Sequence, residues 1–210
     1  MKPAAPDGAP AVRPAGRRVL ATGQRVELVV IGASLGGIEA LTVLLAGLPP
    51  EMPPIAIVLH RSPDLSDGLG AVLAERSALP VVEPDDKTVL VPGTVYLAPG
   101  DYHLLIEPGW LSLSSDPAVQ YARPSIDVLL ESAADAYGAG VLALLLTCSS
   151  TDGLSGAAAV HRAGGRVLVQ DPTEARSAVL PSAVIADHLA SLIAPLEELR
   201  RETIRYCLSA

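Results

Sequence analysis

The stretch Leu28-Val29-Val30-Ile31-Gly32-Ala33-Ser34-Leu35-Gly36-Gly37 decides the fold. Its four leading residues form an unbroken apolar, mostly β-branched run, as expected of a strand buried on both faces. Gly32 interrupts the run. Beyond Gly36-Gly37 the apolar residues Ile38, Leu41, Leu45 and Leu48 fall on one helical stripe, which stops before Pro49-Pro50. A buried strand that turns through small residues straight into a helix is the opening half of a βαβ unit.

The flanking sequence repeats the pattern. Ile55–Leu59 reads as a second buried strand and Ser66–Arg76 as a helix, an order that implies parallel strands with right-handed crossovers. The middle differs: Val89–Leu97, Tyr102–Ile106 and Leu111–Leu113 read as short strands. Glu107-Pro108-Gly109-Trp110 supplies a hairpin turn between the last two. A helix over Ser125–Tyr137, a strand over Val141–Thr147, a helix over Gly153–Ala163, a strand over Arg166–Gln170 and a final helix over Leu196–Cys207 complete the chain. The expected fold is a three-layer, doubly wound α/β domain over residues 26–210, with a mainly parallel sheet and an antiparallel hairpin extension. Residues 1–25, rich in Pro, Ala and Arg and without periodicity, read as a flexible tail.

Composition narrows the function classes. Half of the 210 residues are apolar, yet there is no Phe, one Trp and five Tyr, so the core is filled by Ala, Val, Leu and Ile. Lys2, Arg13, Arg17, Arg18 and Arg25 against Asp7 put the first 25 residues at +4 and the remainder at −12, for a total of −8. An acidic domain gains little from a phosphate backbone, so nucleic acid is not an expected partner. Cys148 and Cys207 are too few for a disulfide framework or a metal cluster. With no secretory h-region and no stretch long enough to span a bilayer, neither export nor membrane insertion is expected, and the expected location is the cytoplasm.

Chemistry on an open parallel sheet gathers outside the carboxyl ends of its strands. Ser34 follows the first strand, His60 closes the second, and Asp152 follows the strand at Val141–Thr147. Their types are those of a nucleophile, a base and an orienting carboxylate. Gly32-Ala33-Ser34-Leu35-Gly36 fits G-x-S-x-G between a strand and a helix, where a tight turn holds the hydroxyl exposed. The backbone amide of Leu35 is the natural first oxyanion donor. Each residue also has a plainer reading: Ser34 in an ordinary connection, His60 as a structural histidine, Asp152 as the N-cap of the helix after it. A dinucleotide site is a further alternative, but it needs Gly in place of Ser34 and an acidic residue in place of His60.

Taken together, these segments resemble the catalytic domain of the chemotaxis protein-glutamate methylesterases (CheB type). The similarity runs from about Val29 to Ile193. Ile31-Gly32-Ala33-Ser34-Leu35-Gly36-Gly37-Ile38-Glu39-Ala40-Leu41 is similar to the family's I-G-A-S-T-G-G-x-E-A-L, and Val58-Leu59-His60 with Pro63 to its V-x-H-x-P. Leu146-Thr147-Cys148-Ser149-Ser150-Thr151-Asp152-Gly153 resembles L-T-G-x-x-x-D-G. Segments 96–104 and 123–127 match between them. The resemblance implies a Ser34–His60–Asp152 triad that hydrolyses glutamate methyl esters on a chemoreceptor-like protein, needing no cofactor or metal. The amide of Ser149 is the candidate second oxyanion donor, and glutamine deamidation is a possible companion activity. Leu35 stands where the family often has Thr, and Cys148-Ser149-Ser150 replaces a commonly Gly-containing turn. The expected partners are a methyl-accepting chemoreceptor or similar methylated protein and a separate response regulator, since only a short tail precedes the catalytic segments here. Another ester or amide hydrolase, or a receptor-binding module without turnover, are the alternatives.

Overall fold

The computed structural model describes residues 25–61 and 68–209. Most of the expected tail, and Pro63 and Ser66, lie outside the described residues.

The opening stretch folds as its pattern dictates: β1 spans Leu28–Ala33, entirely buried, and α1 spans Gly37–Leu45. They are followed by β2 (Ile55–Leu59), α2 (Leu69–Arg76), β3 (Val81–Val82), β4 (Val95–Leu97), β5 (His103–Glu107) and β6 (Trp110–Ser114). The second half holds α3 (Ile126–Tyr137), β7 (Val141–Leu145), α4 (Leu154–Arg162), β8 (Arg166–Gln170), α5 (Val179–Ala186), β9 (Leu192–Ala194) and α6 (Leu196–Leu208).

Seven strands form one sheet in the order β3-β4-β2-β1-β7-β8-β9, and every pairing in it is parallel. Alternation along β1 divides the apolar residues between two cores. Val29 and Ile31 join Leu41, Leu44, Leu73 and Leu199 on the α1/α2/α6 face, while Leu28 and Val30 join Leu129, Leu130, Val160 and Leu180 on the α3/α4/α5 face. The expected three-layer architecture is present. Chain order reverses at β1, which sits between β2 and β7, and this is the switch point at which ligands bind in such sheets.

Several details differ from the sequence reading. The expected antiparallel hairpin is present as β5–β6, and it forms a two-stranded sheet of its own beside the large one. It packs its Leu104, Ile106 and Leu111 into the α3-side core, and the Ile106 amide donates to Ser132 Oγ on α3. The strand expected over Val89–Leu97 is limited to Val95–Leu97. Pro92 offers no amide, and Gly93 sits at φ +71 with its amide turned to the Met52 carbonyl, so the run is broken by a turn. Ile38 is exposed because the buried side of α1 centres on Gly37, Ala40, Leu41 and Leu44, and the first turn carries Ile38 off it. Two strands and one α-helix among the described residues went unread. β3 and β9 are edge strands of two and three residues, and α5 contains Pro181, tolerated in a first turn whose amides have no intrahelical partner.

Candidate active site

Parallel register sets the site. Ala33 pairs with Leu59 and Gly32 with Leu145, so Ser34 emerges beside His60 on one side and Thr147 on the other. The ladder continues past the strand ends: the His60 amide donates to the Ala33 carbonyl at 3.0 Å, and the Ser34 amide to the Thr147 carbonyl at 2.9 Å. Thr147 also donates through Oγ1 to the Leu35 carbonyl at 2.7 Å and accepts from the Ser177 amide at 2.9 Å. The turn carrying Ser34 is thereby tied to β7 and to the segment before α5.

Gly32 is required by a close approach. A β-carbon there would lie 2.4 Å from Ile126 Cγ2, so only glycine lets the start of α3 press against β1. Gly36 turns the chain into α1 at φ +82, a conformation that L side chains rarely adopt.

That approach delivers α3 to Asp152, whose residue is wholly buried. The Asp152 carboxylate accepts from Ser125 Oγ at 2.7 Å and from the Ile126 and Asp127 amides at 2.7 and 3.0 Å. Its fourth partner is His60 Nε2, at 2.6 Å. The arrangement is reciprocal. Asp127 Oδ1 accepts from the Gly153 and Gly156 amides, both at 2.8 Å, at the start of α4. Each carboxylate therefore holds the amino end of the other's helix, α3 by Asp152 and α4 by Asp127, where the helix dipole favours negative charge. Sequence reading had Asp152 capping α4 as the plainer alternative; Asp127 does that instead.

These contacts set the protonation states. Burial opposes ionisation of Asp152, but the hydrogen bonds from His60, the Asp127 and Ile126 amides and Ser125 outweigh it and hold its carboxyl below the ordinary range. Burial raises Asp127, with the Gly156 and Gly153 amides opposing and the Asp152 charge adding to the rise. Burial likewise disfavours the imidazolium of His60, yet Asp152 and the Cys148 thiol beside it prevail and lift its pKa to about 9. Cys148 is the counterpart: burial pushes the thiol up, while His60 and Ser150 bring it below its usual value. With Asp152 ionised, His60 Nε2 carries the proton donated to it, which leaves Nδ1 as the acceptor in the neutral ring.

The other predicted residues fall at the same edge. Leu35 is 48 % exposed, and Ser149 is exposed. Neither of their amides donates a hydrogen bond among the described residues, nor does Ser34 Oγ bond to His60 there. The structure thus joins His60 to Asp152 directly and sets Ser34 alongside by strand register. A cleft of about 580 Å³ opens at His60, lined further by Arg61, Gln120, Tyr121, Arg123 and Ser150. Among the described residues no group of three or more His, Cys, Asp or Glu side chains could hold a metal ion. Sequence reasoning missed Ser125, Asp127, Thr147 and Gln120. Ser125 and Asp127 lay in a matched segment, but only the fold reveals that they surround Asp152.

A wholly parallel, doubly wound sheet with hydroxyl, imidazole and buried carboxylate on turns at its switch point defines the class: a doubly wound α/β protein with its candidate site where the strand order reverses. The CheB methylesterase family model matches residues 29–203. A Nocardioides sp. protein named protein-glutamate methylesterase/protein-glutamine glutaminase is 41% identical over 182 residues, covering 85% of this chain and 50% of that protein. An Anaeromyxobacter dehalogenans protein of the same name, numbered 2, is 43% identical over 180 residues, covering 84% and 52%. The crystal structure of the Thermotoga maritima CheB methylesterase catalytic domain superposes with a TM-score of 0.83 at 31% identity, covering 86% of this chain and 98% of that one. The chain belongs to the CheB methylesterase family. It spans about half the length of the curated relatives it matches.

Proposed function

We propose that this chain is a protein-glutamate methylesterase, hydrolysing glutamate methyl esters on a methylated chemoreceptor or similar signalling protein through Ser34, His60 and Asp152. The observation that carries the reading is the 2.6 Å hydrogen bond from His60 to a buried, ionised Asp152, one strand from the turn that bears Ser34. Similarity to relatives bearing that name supports the substrate class.

In this reading Ser34 Oγ attacks the ester carbonyl while His60 Nδ1 takes its proton. The oxyanion is met by the Leu35 amide, with the Ser149 amide as second donor. The imidazolium, steadied by Asp152, returns the proton to the departing methoxide, and methanol leaves. Water then attacks the acyl-serine by the same proton relay, releasing glutamate and restoring Ser34. Every proton in the cycle passes through His60, between Ser34 and methoxide and then between water and Ser34, while Asp152 stays ionised, so the reading calls on no cofactor or metal. The same steps on a glutamine amide would release ammonia, an activity for which the relatives' double name speaks. The proposed setting is the cytoplasm, with a separate response regulator as a possible controlling partner. No helix among the described residues is long and apolar enough to cross a membrane.

The test is labelling with a fluorophosphonate, read by mass spectrometry, together with methanol release from a methylated receptor. Labelling at Ser34 that is lost in His60→Ala, and methanol release that is abolished in Ser34→Ala, are the expected results. Equal turnover by wild type and Ser34→Ala would reject the assignment.

A further inference from the structure

The segment 115–124 ends in a two-residue turn that is unusual in composition. Val119 and Ala122 exchange backbone hydrogen bonds at 3.1 and 2.8 Å, and the residues between them, Gln120 and Tyr121, both have positive φ, at +46 and +66. A hairpin turn of this kind favours Asn and Gly at both positions, because other side chains crowd the backbone in that conformation. Here a Gln and a Tyr occupy them.

Gln120 has a structural reason to be there. Its Nε2 donates to Asp127 Oδ2 at 2.9 Å and its Oε1 accepts from Thr151 Oγ1 at 3.1 Å, which fastens the turn to the two helix starts behind the site. The legs are pinned too. Arg123 bonds Asp101 and the Ser115 and Asp116 carbonyls, and the His103 ring meets the Pro117 carbonyl. Tyr121 has no such duty. Its ring is fully exposed, in a chain with only six aromatic residues, and it stands on the rim of the cleft that opens at His60.

A strained residue persists where its surroundings over-determine it, and such positions cluster at clamps for ligands. We infer that Tyr121 is a specificity-determining residue that packs its ring against the polypeptide flanking the esterified glutamate, so that the site prefers a protein substrate to a small ester. An aromatic side chain with only two torsions, carried on a pinned loop, supplies contact area with little side-chain entropy to lose, which suits it as an anchor for a peptide surface. The inference rests on the methylesterase reading and deepens it.

The test uses the full chain with two probes: an alanine-rich helical peptide bearing one glutamate γ-methyl ester, followed by methanol release, and p-nitrophenyl acetate. For Tyr121→Ala the expected result is a KM for the peptide raised about tenfold with kcat little changed, and both parameters for the acetate as in wild type. Tyr121→Phe should retain peptide KM. Tyr121→Asn, which adopts positive φ more readily, should keep or raise the thermal midpoint while losing peptide affinity as Tyr121→Ala does. Parallel losses on both probes or an unchanged peptide KM would overturn the role of Tyr121. Cleavage by wild type of neither probe, or of the acetate without the peptide, would overturn the methylesterase reading itself.

Discussion

Cys148 occupies an unusual place, a buried thiol against the imidazole that the proposed mechanism uses as its base. The two groups act on each other: the imidazole helps lower the thiol, and the thiol, with Asp152, helps raise the imidazole. A protonated ring cannot accept from Ser34, so ester hydrolysis should rise with pH until His60 titrates near 9. Removing the thiol removes one of the groups that raise His60. In Cys148→Ala the rising limb of kcat/KM against pH should therefore move to lower pH, and the rate at neutral pH should increase several-fold. A limb that stays in place would show that the thiol has no say in the proton's affinity for the ring. At this scale the sequence was informative about residue type and silent about neighbours. Ser34, His60 and Asp152 each stood out because a polar residue closed or followed an apolar strand. Nothing in a one-dimensional pattern placed Cys148 against His60, because that contact depends on the turn after β7 being bridged to Ala178.

Elements explain why the site holds its shape. α3 and α4 exchange capping carboxylates, so each helix start is completed by a residue from the other's leading turn. Asp152→Asn should accordingly act twice. It keeps the size of the side chain but replaces an oxygen acceptor with an NH2 group that faces donors, leaving at least one of them unpaired. A loss of about 1–3 kcal/mol in urea unfolding is expected. Its effect on ester turnover should still be smaller than that of Ser34→Ala, because the oxyanion donors and nucleophile remain. An Asn variant with wild-type stability would contradict the capping role. Long buried strands and their following helices were legible because their periodicity is strong. The hairpin β5–β6 was legible through Pro108-Gly109, but its detachment from the large sheet was not, since pairing partners leave no trace in the pattern of either strand. The short edges β3 and β9 offered too few residues for any period to register.

For the whole molecule, the buried network couples folding to pH. His60 is raised in the folded state from about 6.5 to about 9, so its contribution to stability is complete below pH 6.5 and is lost as pH rises through 9. Asp152, depressed, has the opposite dependence: its contribution is present above its unfolded value of 3.8 and lost as pH falls below it, while the raised Asp127 offsets part of this. Urea midpoints should thus decline between pH 6.5 and 9, by the equivalent of about 1–3 kcal/mol, and His60→Gln should flatten that decline. A wild-type profile level across this range would refute the coupling. The exchange of caps between α3 and α4 bears finally on how descent within such a family is to be read. A lineage that abandoned ester cleavage would still be compelled to keep Asp152 and Asp127, because losing either would unravel the start of a helix. Ser34, whose hydroxyl has no role in holding the fold among the described residues, would be free to drift. Retention of the aspartate in a distant homologue therefore testifies to folding, and retention of the serine to chemistry.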